Sequence, residues 1–136
     1  MTPEQRIKRE ILLGAIKEND DLKWDGEINE SNIDEAYDKV LVENDAHWDY
    51  ESEFRCSGEP TELDCEWSRH YEADAVARKL SDGSWVGWNY WHGGGKHGEP
   101  EAIDWMCHAY ELDVTEEEKL TIVKTFKKRE PAAVAG

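Results

Sequence analysis

The feature that most constrains this chain is the aromatic run Trp85–Trp91, which follows a turn signal and precedes a glycine loop. Asp82-Gly83 can form a tight hairpin turn, because both residues tolerate a positive φ. In an extended strand the two faces would carry Trp85, Gly87, Asn89 and Trp91 on one side, and Val86, Trp88 and Tyr90 on the other. Both faces are largely apolar, which predicts a strand inside a sheet with cover on both sides. We expect Gly87 to make room for a neighbouring ring or backbone.

A helix is predicted after the glycines that end this strand. Pro100 suits the first helical position, and Asp104 would place negative charge near the helix N-terminus. Apolar residues then follow helical spacing at Ala102, Ile103, Met106, Ala109 and Tyr110. The pattern predicts a helix over residues 99–112 that packs on the sheet.

The N-terminal part, residues 1–44, is predicted to be helical with an acidic loop. Thr2, Pro3 and Gln5 form a capping-box start for a helix from Pro3 to Glu18. Ser31, with Asp34 three residues later, starts a second helix. Its buried side is predicted to consist of Ile33, Ala36, Tyr37, Val40 and Leu41.

From Ala46 the hydrophobic period changes to two, which predicts antiparallel strands across residues 45–92. Trp48, Tyr50, Ser52, Phe54 and Cys56 alternate with His47, Asp49, Glu51, Glu53 and Arg55. A second run alternates Leu63, Cys65 and Trp67 with Asp64, Glu66 and Ser68, and is expected to continue to Lys79. The short turn between the two runs would place their acidic faces side by side.

The β-branched stretch Leu120–Phe126 predicts a further strand within residues 119–127, followed by a tail over 128–136. The sequence therefore predicts one domain, 1–136, of the α+β class. Its N-terminal helices would accompany an antiparallel sheet of about four strands, with one helix packed on the sheet.

Charge is concentrated in one third of the chain. The formal net charge is −16, and the segment Glu18–Glu66 holds 18 Asp and Glu residues against three Lys and Arg residues. This balance argues against nucleic acid or an anionic membrane as a direct partner, since both are polyanions. No apolar run approaches the roughly 20 residues of a membrane span. The three cysteines have no close pair, which favours a reducing cytoplasm.

The sequence contains residues that could form three kinds of small-molecule site: a phosphate-binding loop, a metal site or a catalytic site. The loop Gly93–Gly98 precedes a predicted helix but lacks the Gly-Lys-Ser/Thr ending of a phosphate-binding loop. His92 and His97 lie farther apart than the pairs typical of zinc sites, so we predict no metal and no cofactor. No catalytic signature is present, and we predict that the protein is not an enzyme.

The run from Asp82 to Trp105 resembles a stretch of small uncharacterised proteins from enterobacterial phages and prophages, over the C-terminal half of the chain. In size and charge the chain is also similar to phage anti-defence proteins that imitate DNA, namely anti-restriction and some anti-CRISPR proteins. That second resemblance implies a host nucleic-acid-binding protein as the target and identifies no residue.

Two function hypotheses follow. The first is a non-enzymatic inhibitor, phage-encoded and DNA-mimicking, whose acidic face occupies a basic groove of a host protein. The residues predicted to bind that partner are Asp49, Glu51, Glu53, Asp64 and Glu66. The alternative is a small enzyme or ligand-binding domain that uses the Gly93–Gly98 loop, with Lys96 and His97 exposed to the ligand. A solvated surface that only keeps the protein in solution is the plain reading of the same charge.

Overall fold

A computed structural model describes residues 1–65, 67–95, 98–116 and 124–127. Within these ranges the chain forms α1 (Pro3–Glu18), α2 (Ile33–Tyr37), α3 (His47–Arg55), β1 (Glu59–Pro60), β2 (Glu72–Lys79), β3 (Trp85–His92) and β4 (Tyr110–Leu112). The predicted α+β class is confirmed: N-terminal helices accompany a four-stranded antiparallel sheet. No helix in the described part of the chain is long and apolar enough to span a membrane.

Both predicted N-terminal helices form, but the predicted start of the second at Ser31 is wrong, because α2 begins at Ile33 and its N-cap residue makes no side-chain capping hydrogen bond. At α1, the Thr2 hydroxyl accepts a hydrogen bond from the Gln5 amide at 3.1 Å, and the Gln5 side chain accepts one from the Thr2 amide at 2.9 Å. This reciprocal pair is the predicted capping box. The helix α2 continues as a π-helical turn over Asp38–Val42 and packs against α1. All five residues of its predicted buried side are buried: Ile33, Ala36, Tyr37, Val40 and Leu41.

The sheet has the strand order β1-β2-β3-β4, which places β3 inside the sheet as predicted. The hairpin between β2 and β3 turns at Gly83, whose φ is +89°. Gly87 also behaves as expected. A Cβ atom at Gly87 would lie 2.4 Å from the Tyr110 ring on β4, so only glycine lets the two strands approach this closely.

The strand predicted over residues 48–56 is wrong, because His47–Arg55 forms α3. Aromatic residues at positions 50 and 54 satisfy a helical spacing as well as a period of two. In the helix, Phe54 enters the core, whereas Trp48 is 62% exposed. A half-buried strand would have buried both rings on one face. The same residues are compatible with a helix and with a strand, and their tertiary contacts in the folded chain favour the helix.

The helix predicted over residues 99–112 is also not formed. Two short 3-10 turns, Pro100–Ala102 and Met106–His108, are separated by extended backbone at Ile103, and β4 follows. This segment buries Trp105 and pairs Tyr110 with Gly87 in the sheet, and these tertiary contacts outweigh the helical spacing of its apolar residues.

The second predicted strand is confirmed only over its last part, Glu72–Lys79, which forms β2, and the strand predicted near the C-terminus lacks support in the described residues. The segment 63–65 and residue 67 have no regular structure, and β2 begins only at Glu72. The strand predicted over Leu120–Phe126 lies outside the described residues except for residues 124–126, which have no regular structure.

The core is centred on Trp88 of β3, which is fully buried. Its ring lies 5.1 Å from the Phe54 ring of α3 and 5.6 Å from the Trp105 ring, measured between centroids. Phe54 and Trp105 are stacked at 6.1 Å. We name these three residues the aromatic triad. It joins the sheet, α3 and the segment that follows the glycine loop.

The β2–β3 turn is tied to α1 by polar contacts. Asp82 accepts a hydrogen bond from the Arg9 guanidinium at 2.6 Å and one from Arg6 at 3.3 Å. Hydrogen bonds from the Ser84 hydroxyl and amide, followed by the Arg9 guanidinium, lower the Asp82 pKa from 3.8 to about 2. The ionised form of Asp82 therefore stabilises the fold at neutral pH.

The first testable consequence concerns the aromatic triad. Trp88→Ala should lower the free energy of unfolding by about 3–5 kcal/mol, because it removes a large buried ring and leaves a cavity. A denaturant titration measures this value. Trp67→Ala is the matched control, since Trp67 is 85% exposed and its loss should change stability by less than about 0.5 kcal/mol. Equal losses in the two variants would remove Trp88 from the core.

The second consequence concerns pH. Because the folded-state pKa of Asp82 is lowered, its stabilising effect is present above pH 3.8 and is lost as the pH falls toward about 2. Asp82→Asn should be less stable than the wild type at pH 7, and the difference should shrink between pH 4 and pH 2. Urea titrations across this range measure it, with Asp113→Asn as the control. A difference that stays constant over the range would contradict the assignment.

Candidate functional site

Three of the five predicted partner-binding carboxylates lie on α3: Asp49, Glu51 and Glu53. Alternate residues share one face of a strand but not one face of a helix, so these three carboxylates do not project together. Asp49 and Glu53 are one turn apart on the solvent face, with about 5–6 Å expected between their Cβ atoms, whereas Glu51 points elsewhere. Asp64 is exposed in an irregular segment, and Glu66 lies outside the described residues.

Glu51 has a structural partner. It accepts a short hydrogen bond from the hydroxyl of Tyr37, a buried residue of α2. Burial of the phenol, and then the hydrogen bond to Glu51, raise the Tyr37 pKa above its ordinary value. This contact connects α3 to α2, so Glu51 is not a free charge on the surface.

Asp49 and Glu53 are different. Both are exposed, and among the described residues neither forms an ion pair or a side-chain hydrogen bond. Trp48, on the same helix, is 62% exposed, and its ring lies 4.5 Å from that of His47. We name the exposed residues of α3 the α3 ridge: Trp48, Asp49, Ser52 and Glu53.

One flank of the α3 ridge is concave. Two cavities of about 290 and 240 Å³ lie against it, and both are lined by Trp48, Glu51 and Trp105. One tryptophan of this flank is exposed, and the other is buried in the aromatic triad. A partially exposed tryptophan beside a cavity is typical of residues that anchor protein interfaces.

The other flank carries a smaller groove between α1 and α3. Its cavity of about 190 Å³ is lined by Glu10, Ile11, Gly14, Ala15, Glu18, Tyr50, Glu53, Phe54 and Arg78. We name it the Gly14 groove. The α3 ridge therefore stands between two concave surfaces, with Trp48 beside one and Glu53 beside the other.

Unpaired carboxylates continue beyond α3. Within the described part of the Glu18–Asp64 segment, three carboxylates form ion pairs, namely Glu30, Asp34 and Glu35. The carboxylates of this part without an ion pair, apart from Glu51, are those of Glu18, Asp20, Asp21, Asp25, Glu27, Asp38, Glu43, Asp45, Asp49, Glu53, Glu59, Glu62 and Asp64. The predicted excess of negative charge is thus largely unneutralised inside the described chain.

Arg55 fixes α3 to the sheet, a role that the alternation of the sequence did not indicate. It is only 5% exposed, and its guanidinium lies 4.6 Å from the centroid of the Tyr90 ring. It also donates a short hydrogen bond to the Trp91 carbonyl oxygen. The Arg55 carbonyl oxygen accepts a hydrogen bond from the Trp88 indole at 3.3 Å. The one feature of the sequence that could have indicated this role is that Arg55 is a single basic residue after a run of acidic residues.

A polar cluster on the same sheet face was also missed. The His92 imidazole lies 2.9 Å from Asp74 and stacks on Tyr90 at 5.5 Å. The Cys56 thiol lies 4.0 Å from the Tyr90 hydroxyl, and this contact is the first cause of the raised Tyr90 pKa. Because Cys56 contacts the phenol and not the imidazole, the cluster does not form a cysteine–histidine nucleophile. Part of this cluster could have been found from the register of the β2–β3 hairpin, in which Asp74 lies opposite Tyr90.

The alternative loop site is only partly described. Gly93, Gly94 and Gly95 have φ values of +79°, +87° and +71°. A Cβ atom at Gly94 would lie 2.5 Å from the Tyr71 ring, which gives this glycine a packing role. Lys96 and His97 lie outside the described residues. Across the described ranges, no three His, Cys, Asp or Glu side chains are grouped so that they could hold a metal ion.

Comparisons of this chain with protein-family models, curated proteins and solved structures return no match.

The contrast between Glu51 and Asp49 gives the next test. Glu51→Lys should lower the free energy of unfolding by about 1–3 kcal/mol, because the Tyr37 hydroxyl loses its acceptor inside the protein. Asp49→Lys makes the same change in charge and should lower stability by less than about 1 kcal/mol, because a lysine in the first turn of α3 is unfavourable but repulsion among the acidic residues is relieved. Denaturant titrations compare the two. Equal stability would show that the Tyr37 contact contributes nothing.

Proposed function

We propose that this protein is a non-enzymatic inhibitor whose α3 ridge occupies a basic, nucleic-acid-binding groove of another protein. The observation that carries the proposal is the pairing of unneutralised carboxylates with an exposed tryptophan on one short helix. Asp49 and Glu53 supply the charge, and Trp48 supplies a large apolar anchor. The helix offers them on a rigid backbone, because Arg55 and Phe54 hold its other side.

The two kinds of residue would make separate contributions to binding. Exposed charges mainly accelerate encounter with an oppositely charged surface, and salt screens them over about 10 Å at 0.1 M. A tryptophan that becomes buried at an interface mainly slows dissociation. A surface with both features suits a specific protein partner better than a need for solubility alone. Trp48 lies beside exposed carboxylates without ion pairs and beside two cavities, an arrangement that solubility alone does not require.

The class of partner follows from the sign and density of the charge. Double-stranded DNA carries about one negative charge per 1.7 Å of its axis, and proteins that bind it present complementary basic grooves. The acidic segment Glu18–Asp64 would compete for such a groove. The resemblance to phage proteins that imitate DNA favours a host nucleic-acid-binding protein as the target, and a phage origin for this chain.

The proposal is tested with a partner captured on immobilised protein from an enterobacterial lysate and identified by mass spectrometry. Asp49→Lys combined with Glu53→Lys should weaken that complex at least about tenfold at low salt, because like charges would then face each other. The loss should appear mainly in the association rate. Wild-type affinity should fall steeply with added salt, and a DNA duplex should displace the protein from its partner.

The matched control is Asp113→Lys combined with Glu116→Lys. These residues are exposed and without an ion pair among the described residues, so the variant has the same net charge with the change placed elsewhere. It should bind nearly as well as the wild type. Equal weakening by both variants would show that only net charge matters. Simultaneous binding of DNA and this protein to the partner would contradict the mimicry.

A further inference from the structure

The Gly14 groove contains an unexplained residue. Gly14 lies inside α1, where glycine costs about 1 kcal/mol relative to alanine. Packing within the fold does not require it, because a Cβ atom at Gly14 would meet nothing within 4 Å among the described residues. The backbone is helical, so no special dihedral angle requires glycine either. What the glycine does is leave the groove between α1 and α3 open.

The lining of the groove combines an apolar floor with an acidic rim. The floor is lined by the largely buried Ile11 and Phe54 and by the half-buried Tyr50, and Glu18 and Glu53 stand on α1 and α3 respectively. Neither of these two carboxylates forms an ion pair with a described residue. A long side chain with an aliphatic stem and a cationic end matches such a surface, because the stem can cover apolar atoms while the charge stays at the rim.

The other two charged groups of the groove are already engaged. Glu10 accepts hydrogen bonds from the Ser81 amide at 3.1 Å and the Ser81 hydroxyl at 2.8 Å. The Arg78 guanidinium lies 4.6 Å from the centroid of the Phe54 ring and donates to the Ser57 hydroxyl at 2.9 Å. These partners are neutral, so both groups keep their charge. The groove holds three carboxylates against one guanidinium, and its net charge is therefore negative.

We propose that the Gly14 groove receives an arginine or lysine side chain of the partner protein, with the cation between Glu18 and Glu53. This inference rests on the proposed function, since it assumes that the α3 ridge faces a basic protein surface. It adds a defined pocket to that surface. An interface that recognises its partner by charge alone needs no pocket. This groove, in contrast, would select a basic side chain that is long enough to place its cation between the two carboxylates.

The test uses a small probe and does not require the natural partner. Nα-acetyl-arginine methylamide is titrated into ¹⁵N-labelled protein at low salt, and the neutral isostere Nα-acetyl-citrulline methylamide is the control ligand. The arginine derivative should shift the amide resonances of Gly14 and Ala15 and those of the second half of α3. The citrulline derivative should bind at least tenfold more weakly, because it lacks the charge.

Gly14→Leu fills the groove without changing any charge. It should bind the arginine probe at least tenfold more weakly than the wild type. Its melting temperature should stay the same or rise, since leucine has a higher helix propensity than glycine and a Cβ atom at this position meets nothing within 4 Å. Gly14→Ala is the matched variant. It gives a similar gain in helix propensity with only one methyl group and should retain binding within about threefold.

The groove assignment is overturned if both ligands shift the same amides equally, or if Gly14→Leu binds the arginine probe as well as the wild type does. That result would leave the proposed function in place, because the latter is judged in the captured complex, where Asp49→Lys alone reverses a charge of the α3 ridge without changing the groove. Conversely, if the charge-reversed protein binds the captured partner as well as the wild type does, the proposed function is wrong even if the arginine probe still binds to the groove.

Discussion

The packing of the aromatic triad is the interaction on which the rest of this structure depends. Trp88 is fully buried and packs against Phe54 and Trp105, which also contact each other. The three rings come from the sheet, from α3 and from the segment after the glycine loop. Elements distant in sequence are thereby brought together around one side chain. The position of α3, and with it the arrangement of the acidic surface, follows from this contact and from the anchoring of Arg55 on Tyr90.

The placement of α3 has an electrostatic consequence. Its buried side carries Phe54 and Arg55, and the half-buried Glu51 is held by the Tyr37 hydroxyl. Asp49 and Glu53 are left on the solvent side with Trp48, between two concave flanks. Self-repulsion within such a surface lowers stability, and basic side chains could relieve it. The retained negative charge is what a basic partner would neutralise.

Local signals predicted the parts of the fold that local chemistry determines. The Thr2 and Gln5 capping box, the Asp82-Gly83 turn and the double-faced strand β3 each depend on neighbouring residues, and all three are confirmed. The sequence did not distinguish a helix from a strand at α3, because Tyr50 and Phe54 fit both periods. It identified the acidic residues of the candidate site but could not separate Glu51 from its neighbours. Nor could it find the Gly14 groove, since that depends on how α1 meets α3.

The most direct test of the central claim, that the α3 ridge is the binding surface, is carbodiimide labelling of carboxylates in the captured complex, read by mass spectrometry. We expect Asp49 and Glu53 to be labelled in the free protein and protected in the complex, because binding would remove them from solvent. Asp113 and Glu116 should be labelled equally in both states. Protection of Asp113 and Glu116 with unchanged labelling of Asp49 and Glu53 would contradict the account and place the interface on another face.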